Sequence, residues 1–127
     1  MKGSLTVRVR YCECDPMGVV HHTVYPIWFE MGRTELLRST GKTYREMEEA
    51  GAFLAIVRLQ VSYKKPAKYD DEVRLETTMS DVGHVKIEHT YELFRGDELL
   101  CSASTTLACI DREGKARQIP ENLFRAP

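Results

Sequence analysis

Between residues 23 and 40 the chain reads TVYPIWFEMGRTELLRST, and this stretch decides the fold because it carries the one long helical pattern among strand-like segments. Apolar residues recur at helical spacing, at Val24, Ile27, Trp28, Met31 and Leu37. Thr23 is predicted to be the N-cap, and Pro26 falls in the first turn, where a missing N–H costs nothing. Gly41 ends the helix. A second, short helix is predicted from Tyr44 to Ala50.

Five stretches around this helix alternate apolar and polar residues, a pattern typical of half-buried strands. In each of them the odd-numbered positions are the apolar ones; the stretches cover residues 5–11, 53–63, 73–79, 85–93 and 99–109. Short turn signals such as Gly96-Asp97 favour antiparallel hairpins. A five-stranded antiparallel sheet wrapped around a long central helix is the hotdog fold, of the α+β class. Because sheet edges and faces of such a subunit need cover, we expect a homodimer or homotetramer.

Length and composition favour a single domain over residues 1–127. With 18 basic and 19 acidic side chains the net charge is -1, so no global field favours a nucleic-acid partner. No apolar run approaches the ~20 residues that span a bilayer, and the N-terminus leads directly into a strand pattern. We therefore expect no signal peptide, no membrane insertion and a cytoplasmic location. The tail, residues 118–127, is predicted to be a surface strap.

The four cysteines are predicted to be free structural thiols, since reduced cysteine behaves mainly as a small buried hydrophobe. Cys12 and Cys14 are expected on one face of the first strand because they lie two residues apart. No metal site is expected either, because adjacent histidines rarely share an ion and no H-x-x-x-H spacing occurs. His89 falls on the apolar face of a strand, which is typical of a core histidine.

The segment before the helix, DPMGVVHHTVY over residues 15–25, places one carboxylate in a tight turn. Pro16 biases Asp15 to an extended conformation, and Gly18 completes the turn. The first N–H groups of the following helix have no internal partner, so they can hold negative charge that develops on a substrate oxygen. The carboxylate would attack or activate water, which suits acyl transfer or hydrolysis. The alternative is that Asp15 only caps its own turn.

Three motifs together resemble the 4-hydroxybenzoyl-CoA thioesterase family of hotdog enzymes. They are Y-x-E-C-D-P-M-G-V-V-H-H-x-x-Y over residues 11–25, W-F-E-x-x-R-x-E over residues 28–35, and Y-x-x-P-A-x-Y-D-D over residues 63–71. The order of predicted elements is similar as well, so the resemblance covers nearly the whole chain. It implies an acyl-CoA thioesterase that needs neither metal nor redox cofactor, with CoA as part of the substrate.

The resemblance also implies roles for individual residues. Asp15 falls on the family's catalytic carboxylate, and both direct attack and general-base activation of water are open to it. His22 falls where a backbone N–H points at the thioester carbonyl, and its imidazole is a further acid–base candidate. Substrate-binding positions are predicted at Gly18, Val20, His21, Tyr25, Lys65, His84 and Lys86.

Several of these residues have a simpler interpretation. Tyr25 either lines the acyl pocket or fills the core, and His21 either faces the core or packs against the substrate loop. Lys65 belongs to the basic run KKPAK, residues 64–68, which would attract the phosphates of CoA or form a solvated turn. His84 and Lys86 fall where related enzymes place the nucleotide. Ion pairs or a role at the subunit interface are expected for Glu30, Arg33 and Glu35.

Two rival functions use the same fold. One is a hydratase or dehydratase that removes a proton beside a thioester carbonyl, and the other is a non-catalytic acyl-CoA binding protein. The first is disfavoured because the turn at residues 15–18 has no matching carboxylate motif on the helix. Release of free thiol from an acyl-CoA distinguishes hydrolysis from both.

Overall fold

A computed structural model describes residues 1–121 and 123 of the chain. Strand β1 (Lys2–Arg8) leads into a short 3-10 turn (Tyr11–Glu13), helix α1 (Tyr25–Arg38) and helix α2 (Tyr44–Glu49). Four strands follow, namely β2 (Phe53–Tyr63), β3 (Glu72–Val82), β4 (Lys86–Arg95) and β5 (Glu98–Ile110). They form one antiparallel sheet in the order β1-β3-β4-β5-β2, with α1 packed mainly against β1 and β3. This arrangement is the predicted α+β hotdog fold.

The inner face of the sheet follows the predicted odd positions in β3, in β4 and in β5 from Cys101 onward. Val73, Leu75, Ile87, Leu93 and Leu107 are all buried there, and they form the floor on which α1 rests. The prediction is wrong for Leu99, because the β4–β5 register shifts after Leu93, so that Leu99 pairs with Phe94 and Leu100 is the fully buried residue. The predicted two-residue hairpin is also present, since β4 ends at Arg95, β5 begins at Glu98, and Gly96 has a φ of 60°. Short connections of this kind need a left-handed residue, which glycine adopts at little cost.

Strand β2 departs from the prediction that its odd positions all face α1. Its register against β5 shifts between Ile56 and Arg58, which leaves Val57 as a bulge residue. Ile56 pairs with the buried Leu107, so before the bulge the even positions share the inner face, and after it the odd ones do. The apolar–polar periodicity of the sequence could not reveal this switch of faces, because apolar residues stand both before and after the bulge.

Helix α1 is shorter than predicted, and the face that it buries against the sheet differs from the predicted one. It begins after Val24, whose side chain makes no cap, while the hydroxyl of Thr23 lies 2.7 Å from Nδ1 of His21. Pro26 sits in the first turn, as predicted. The buried face carries Trp28 and Phe29, whereas Ile27 and Met31 are 56% and 40% exposed. The prediction that these two face the sheet is therefore wrong.

The chain after β1 also differs from the prediction. The first strand ends at Arg8, so Tyr11 and Cys12 lie in the 3-10 turn and Cys14 follows it; the two cysteines therefore do not share a strand face. All four cysteines are free thiols, and Cys101 and Cys109 are buried. In the predicted tail strap, Ile119 and Leu123 are buried beside α2 and β5, while residues 122 and 124–127 lie outside the described part. No helix among the described residues is long and apolar enough to cross a membrane.

Candidate active site

The turn at residues 15–18 holds the Asp15 side chain in place. The amide of Gly18 donates to the carbonyl of Asp15, the amide of Asp15 donates to the carbonyl of Val19, and Gly18 has a φ of 81°. Oδ1 of Asp15 accepts from the amides of Met17 at 2.9 Å and Val19 at 3.4 Å. The alternative of a turn-capping carboxylate is thus correct for one oxygen. Asp15 also lines a cavity, so the capping role leaves its other oxygen next to open space and the catalytic role stays a prediction.

A buried carboxylate fastens this loop to α1. Glu13 accepts from the amide of Arg10 at 2.7 Å and from Nε1 of Trp28 at 3.2 Å, and its carbonyl accepts from the amide of His21. The side chain is only 6% exposed, and these donors satisfy it. Glu13 therefore fixes the segment that carries Asp15, from Arg10 to His21, relative to the first turn of α1. Sequence reasoning missed this role of Glu13, because nothing in the sequence indicates that an acidic residue in a polar stretch will be buried.

The start of α1 offers unused backbone donors. Within residues 1–121 and 123, neither His22 N–H nor Tyr25 N–H has a hydrogen-bond acceptor in the structure. The carbonyl of His22 accepts from the hydroxyl of Tyr63 at 2.9 Å, which holds this peptide segment against β2. Free N–H groups at a helix N-terminus attract negative charge.

Asp15, His22 and Tyr25 line one cavity of about 330 Å³ between the α1 N-terminus and the end of β2. Val20 also lines it, as predicted, and its amide is held by the carbonyl of Ala67. Tyr25 has a double role, because it is buried in the core and its hydroxyl accepts from the amide of Ala67 at 3.4 Å. Burial raises the pKa of Tyr25, so its hydroxyl stays protonated. Val19 and Tyr63 line the cavity although sequence reasoning assigned neither of them, and Lys64 and Pro66 of the predicted basic run line it beside Lys65.

Four other residues were predicted to bind substrate besides those above, and Lys65 is a fifth. Lys65 lines this cavity, and its Nζ also pairs with Oε2 of Glu98 at 2.9 Å. Gly18 serves the turn, and the exposed His21 stacks on His22 with ring centroids 4.3 Å apart. His84 and Lys86 lie at the start of β4, whereas the other end of that strand, Arg95, contacts Pro66 at the cavity. A single subunit does not bring these two residues to Asp15, so their role in substrate binding stays a prediction.

Further along α1 a second polar cluster is buried against the sheet. Arg33, 7% exposed, donates through Nη1 to the hydroxyl of Tyr91 at 3.1 Å, which lies 2.6 Å from Oγ1 of Thr105. Within the described residues Arg33 has no carboxylate within 4.0 Å, so the expected ion pair is absent, while Glu35 pairs with Arg38. Burial, and then the charge of Arg33, lower the pKa of His89 to about 4. His89 is the core histidine predicted.

In the part of the chain that the structure describes, no group of three or more potential ligands could hold a metal ion. What the geometry offers instead is a fixed carboxylate and two free amides around one cavity. A carboxylate beside unpaired helix N-terminal amides suits chemistry at a carbonyl whose oxygen gains negative charge.

Comparison with known proteins gives the family. A family model described as the thioesterase-like superfamily matches residues 9–126. The acyl-CoA thioesterase YbgC of Haemophilus influenzae is 36% identical over 109 residues, which cover 85% of this chain and 80% of that protein. The acyl-CoA thioester hydrolase YbgC of Escherichia coli is 27% identical over 119 residues, covering 92% and 89%. The chain belongs to the thioesterase-like superfamily and is a thioester hydrolase.

Solved structures agree on the architecture. The DHNA-CoA thioesterase from Staphylococcus aureus has a TM-score of 0.87 at 30% identity, covering 98% of this chain and 83% of that chain. The 4-hydroxybenzoyl CoA thioesterase has a TM-score of 0.87 at 19% identity, covering 97% and 96%, which shows the fold alone. The hotdog fold inferred from the strand and helix pattern is thereby confirmed.

Proposed function

We propose that this chain hydrolyses an acyl-CoA thioester to a free acid and CoA, with Asp15 as the reacting carboxylate. The single observation that carries the proposal is that Asp15 and His22 line the same cavity at the N-terminus of α1, and that the amide of His22 has no acceptor among the described residues. The names of the Haemophilus influenzae and Escherichia coli relatives support CoA as the carrier.

The chemistry divides between the two groups. The carbonyl oxygen of the thioester would accept from the amide of His22, so that the charge of the tetrahedral intermediate meets the positive end of α1. Asp15 would either add to the carbonyl carbon, giving an acyl anhydride that water opens, or take the proton of a water that adds instead. In both routes the carbon–sulfur bond breaks and CoA leaves as a thiolate that gains a proton.

The turn itself prepares Asp15 for this role. Two backbone amides occupy Oδ1, which fixes the carboxylate plane, whereas Oδ2 has no donor among the described residues. One oxygen therefore orients the group and the other is free to react. Lys64 and Lys65 at the same cavity would attract the phosphates of CoA.

We further propose that the enzyme is a homodimer joined along β2. That strand forms one edge of the sheet, and three of its exposed side chains are apolar, with Ile56 46%, Val57 55% and Leu59 43% exposed. The exposed polar side chains of the same strand are Arg58, Gln60 and Ser62. The opposite edge, β1, carries the charged Lys2 and Arg8. Exposed apolar side chains on an edge strand favour pairing with the same strand of a second copy. Charged side chains on the other edge strand, β1, disfavour such pairing there.

The substitution Asp15→Asn tests the catalytic assignment. An asparagine Oδ1 still accepts from both turn amides, so the loop keeps its shape while the charge is lost. We expect thiol release from an acyl-CoA to fall by about 100-fold or more, with binding of the thioester retained. Release is followed with a thiol reagent and binding by calorimetry.

Asp111→Asn is the matched control. Oδ1 of Asp111 accepts from the amides of Glu113 and Lys115 at 2.9 Å each, the same kind of turn far from the cavity. Its activity should equal that of the unchanged enzyme. Near-normal hydrolysis by the Asp15→Asn variant would remove this residue from the mechanism, and an unchanged enzyme that binds thioesters without releasing thiol would identify a binding protein.

A further inference from the structure

The peptide segment that leads into α1 is held by hydrogen bonds on both sides of the free amide of His22. On the N-terminal side, the amide of His21 donates to the carbonyl of Glu13 at 2.9 Å, and the carbonyl of His21 accepts from the amide of Val24 at 2.9 Å. On the C-terminal side, the carbonyl of His22 accepts from the hydroxyl of Tyr63 at 2.9 Å. Because each peptide unit is planar and rotates only about its ends, holding the neighbouring units fixes the direction of the His22 N–H.

Tyr63 supplies the contact that comes from the sheet. It is the last residue of β2, and it lies 41 positions from His22 along the chain. The imidazole of His21 also accepts from the amide of Thr23 at 3.2 Å, but both residues belong to the turn before α1. Contacts within a turn move with the turn, whereas a bond to a strand fixes the distance of the turn from the cavity wall. The bond from Tyr63 therefore gives the His22 amide its place in the cavity.

The ring of Tyr63 also supports the residue that carries the second free amide. It meets the ring of Tyr25 edge-on, with centroids 5.0 Å apart and an angle of 81° between the planes. Edge-to-face aromatic pairs are favourable beyond the area that they bury. Tyr25 in turn packs edge-on against Trp28, with centroids 5.4 Å apart. The segments that carry both free amides, His22 and Tyr25, are thus in contact with Tyr63.

The hydroxyl proton of Tyr63 is already used in this contact. A phenol has one O–H donor, and Tyr63 donates it to the carbonyl of His22. Burial raises the pKa of Tyr63, so the proton stays on the oxygen at neutral pH. Although Tyr63 lines the same cavity as Asp15, its proton is not free to bond a substrate. Any effect of this hydroxyl on a reaction in the cavity would therefore pass through His22.

We propose that Tyr63 is a positioning residue for thioester hydrolysis, whose bond to the carbonyl of His22 keeps the amide of His22 directed at the thioester oxygen. This inference rests on the proposed function, because it needs that amide to stabilise charge on the oxygen. The charge is largest in the transition state, so a misdirected amide lowers the rate more than it weakens substrate binding. The expected signature is a fall in kcat with little change in KM.

The substitution Tyr63→Phe tests this role by steady-state kinetics. Phenylalanine keeps the ring against Tyr25 and loses only the hydroxyl. We expect kcat for an acyl-CoA to fall by about five- to thirtyfold and KM to change by less than about twofold, because the lost bond lies outside the substrate contact. Tyr69→Phe is the matched control, since Tyr69 is an exposed tyrosine that does not line the cavity. It should keep both constants.

The infrared band of a bound thioester carbonyl measures the same contact without turnover. The Asp15→Asn variant is mixed with an acyl-CoA that is isotopically labelled at this carbonyl. Difference infrared spectroscopy should show the band at a lower wavenumber than in an apolar solvent, because the amide of His22 polarises the carbonyl. Adding Tyr63→Phe to this variant should move the band back to a higher wavenumber, whereas adding Tyr69→Phe should leave it in place.

The outcomes separate this inference from the proposed function. An unchanged kcat in Tyr63→Phe, a rise in KM without a fall in kcat, or a fall in kcat with an unmoved carbonyl band would each overturn the positioning role and leave hydrolysis by Asp15 intact. If the unchanged enzyme binds the labelled thioester but releases no thiol, it is the proposed hydrolysis that fails. The response of the band to Tyr63→Phe would then still decide whether this tyrosine places the amide of His22.

Discussion

At the scale of single residues, the carboxylate of Asp15 illustrates how one side chain serves structure and chemistry together. Its Oδ1 is part of the turn, so removing the side chain altogether would disturb the loop as well as the reaction. Glu13 has the complementary role, since both of its oxygens are occupied and it faces the core. Of the two neighbouring acids, only Asp15 retains an oxygen for a substrate.

Lys65 and Glu98 give a prediction at the same scale. Glu98 holds Lys65 at 2.9 Å and Arg95 through its other oxygen, so it competes with a CoA phosphate for the lysine. Lys65→Ala should raise KM for an acyl-CoA about three- to tenfold, with no effect on a short pantetheine thioester that lacks the nucleotide. Glu98→Gln should lower KM for the acyl-CoA, because it frees the lysine.

Steady-state kinetics at two salt concentrations measure this effect. The difference between the two substrates should shrink at high salt, since exposed charges are screened. An equal rise of KM on both substrates in Lys65→Ala would mean that the lysine supports the cavity wall and does not contact the phosphates.

At the scale of elements, the approach of α1 to β3 depends on Gly32. A Cβ on that residue would lie 2.4 Å from Oγ1 of Thr77 and 2.7 Å from Cδ2 of Leu75, both well inside normal contact. The helix therefore rests close to the sheet on this side and leaves the β2 side open.

Gly32→Ala should accordingly destabilise the enzyme. Alanine favours a helix over glycine by about 1 kcal/mol, but the overlap with Thr77 forces α1 outward at a cost of about 1–3 kcal/mol. We expect the free energy of unfolding, measured with urea, to fall by about 1 kcal/mol.

Gly83→Ala is the control for this change, because its added Cβ would meet only the carbonyl of Lys86 at 3.5 Å. Its free energy of unfolding should stay within about 0.5 kcal/mol of the unchanged enzyme, as for most surface substitutions. A stabilised Gly32→Ala variant would show that α1 moves away from β3 without loss of packing.

At the scale of the whole molecule, the proposed dimer makes β2 the centre of a sheet that continues across two subunits. Val57→Lys places a charge on the bulge of this edge, where a partner strand would bury it. A charge buried without a partner is costly, so the dimer should weaken by about a hundredfold or more and dissociate at micromolar concentration. Sedimentation equilibrium measures the change.

Val82→Lys is the matched control, since Val82 is a similarly exposed valine at the end of β3. It should sediment like the unchanged enzyme. A monomeric unchanged enzyme, or a dimer that tolerates Val57→Lys, would place the interface elsewhere than β2.

The amino-acid sequence by itself determined the elements, the turn around Asp15 and the family. These features are local. The alternation of apolar and polar residues predicts strands β3, β4 and β5 from near neighbours along the chain, and so do the turns at the glycines 18, 41 and 96. The motif over residues 11–25 likewise placed Asp15, His22 and Tyr25 together, and the structure brings all three to one cavity.

Only the tertiary structure decided which face of α1 is buried, where β2 bulges and which charges pair. Arg33 became a buried donor with no carboxylate partner among the described residues, and Glu13 a buried anchor, because residues more than a dozen positions away fold onto them. His84 and Lys86 ended at the far end of β4 for the same reason. Charge and periodicity are read along the chain, whereas burial and pairing depend on which distant segments the sheet brings into contact.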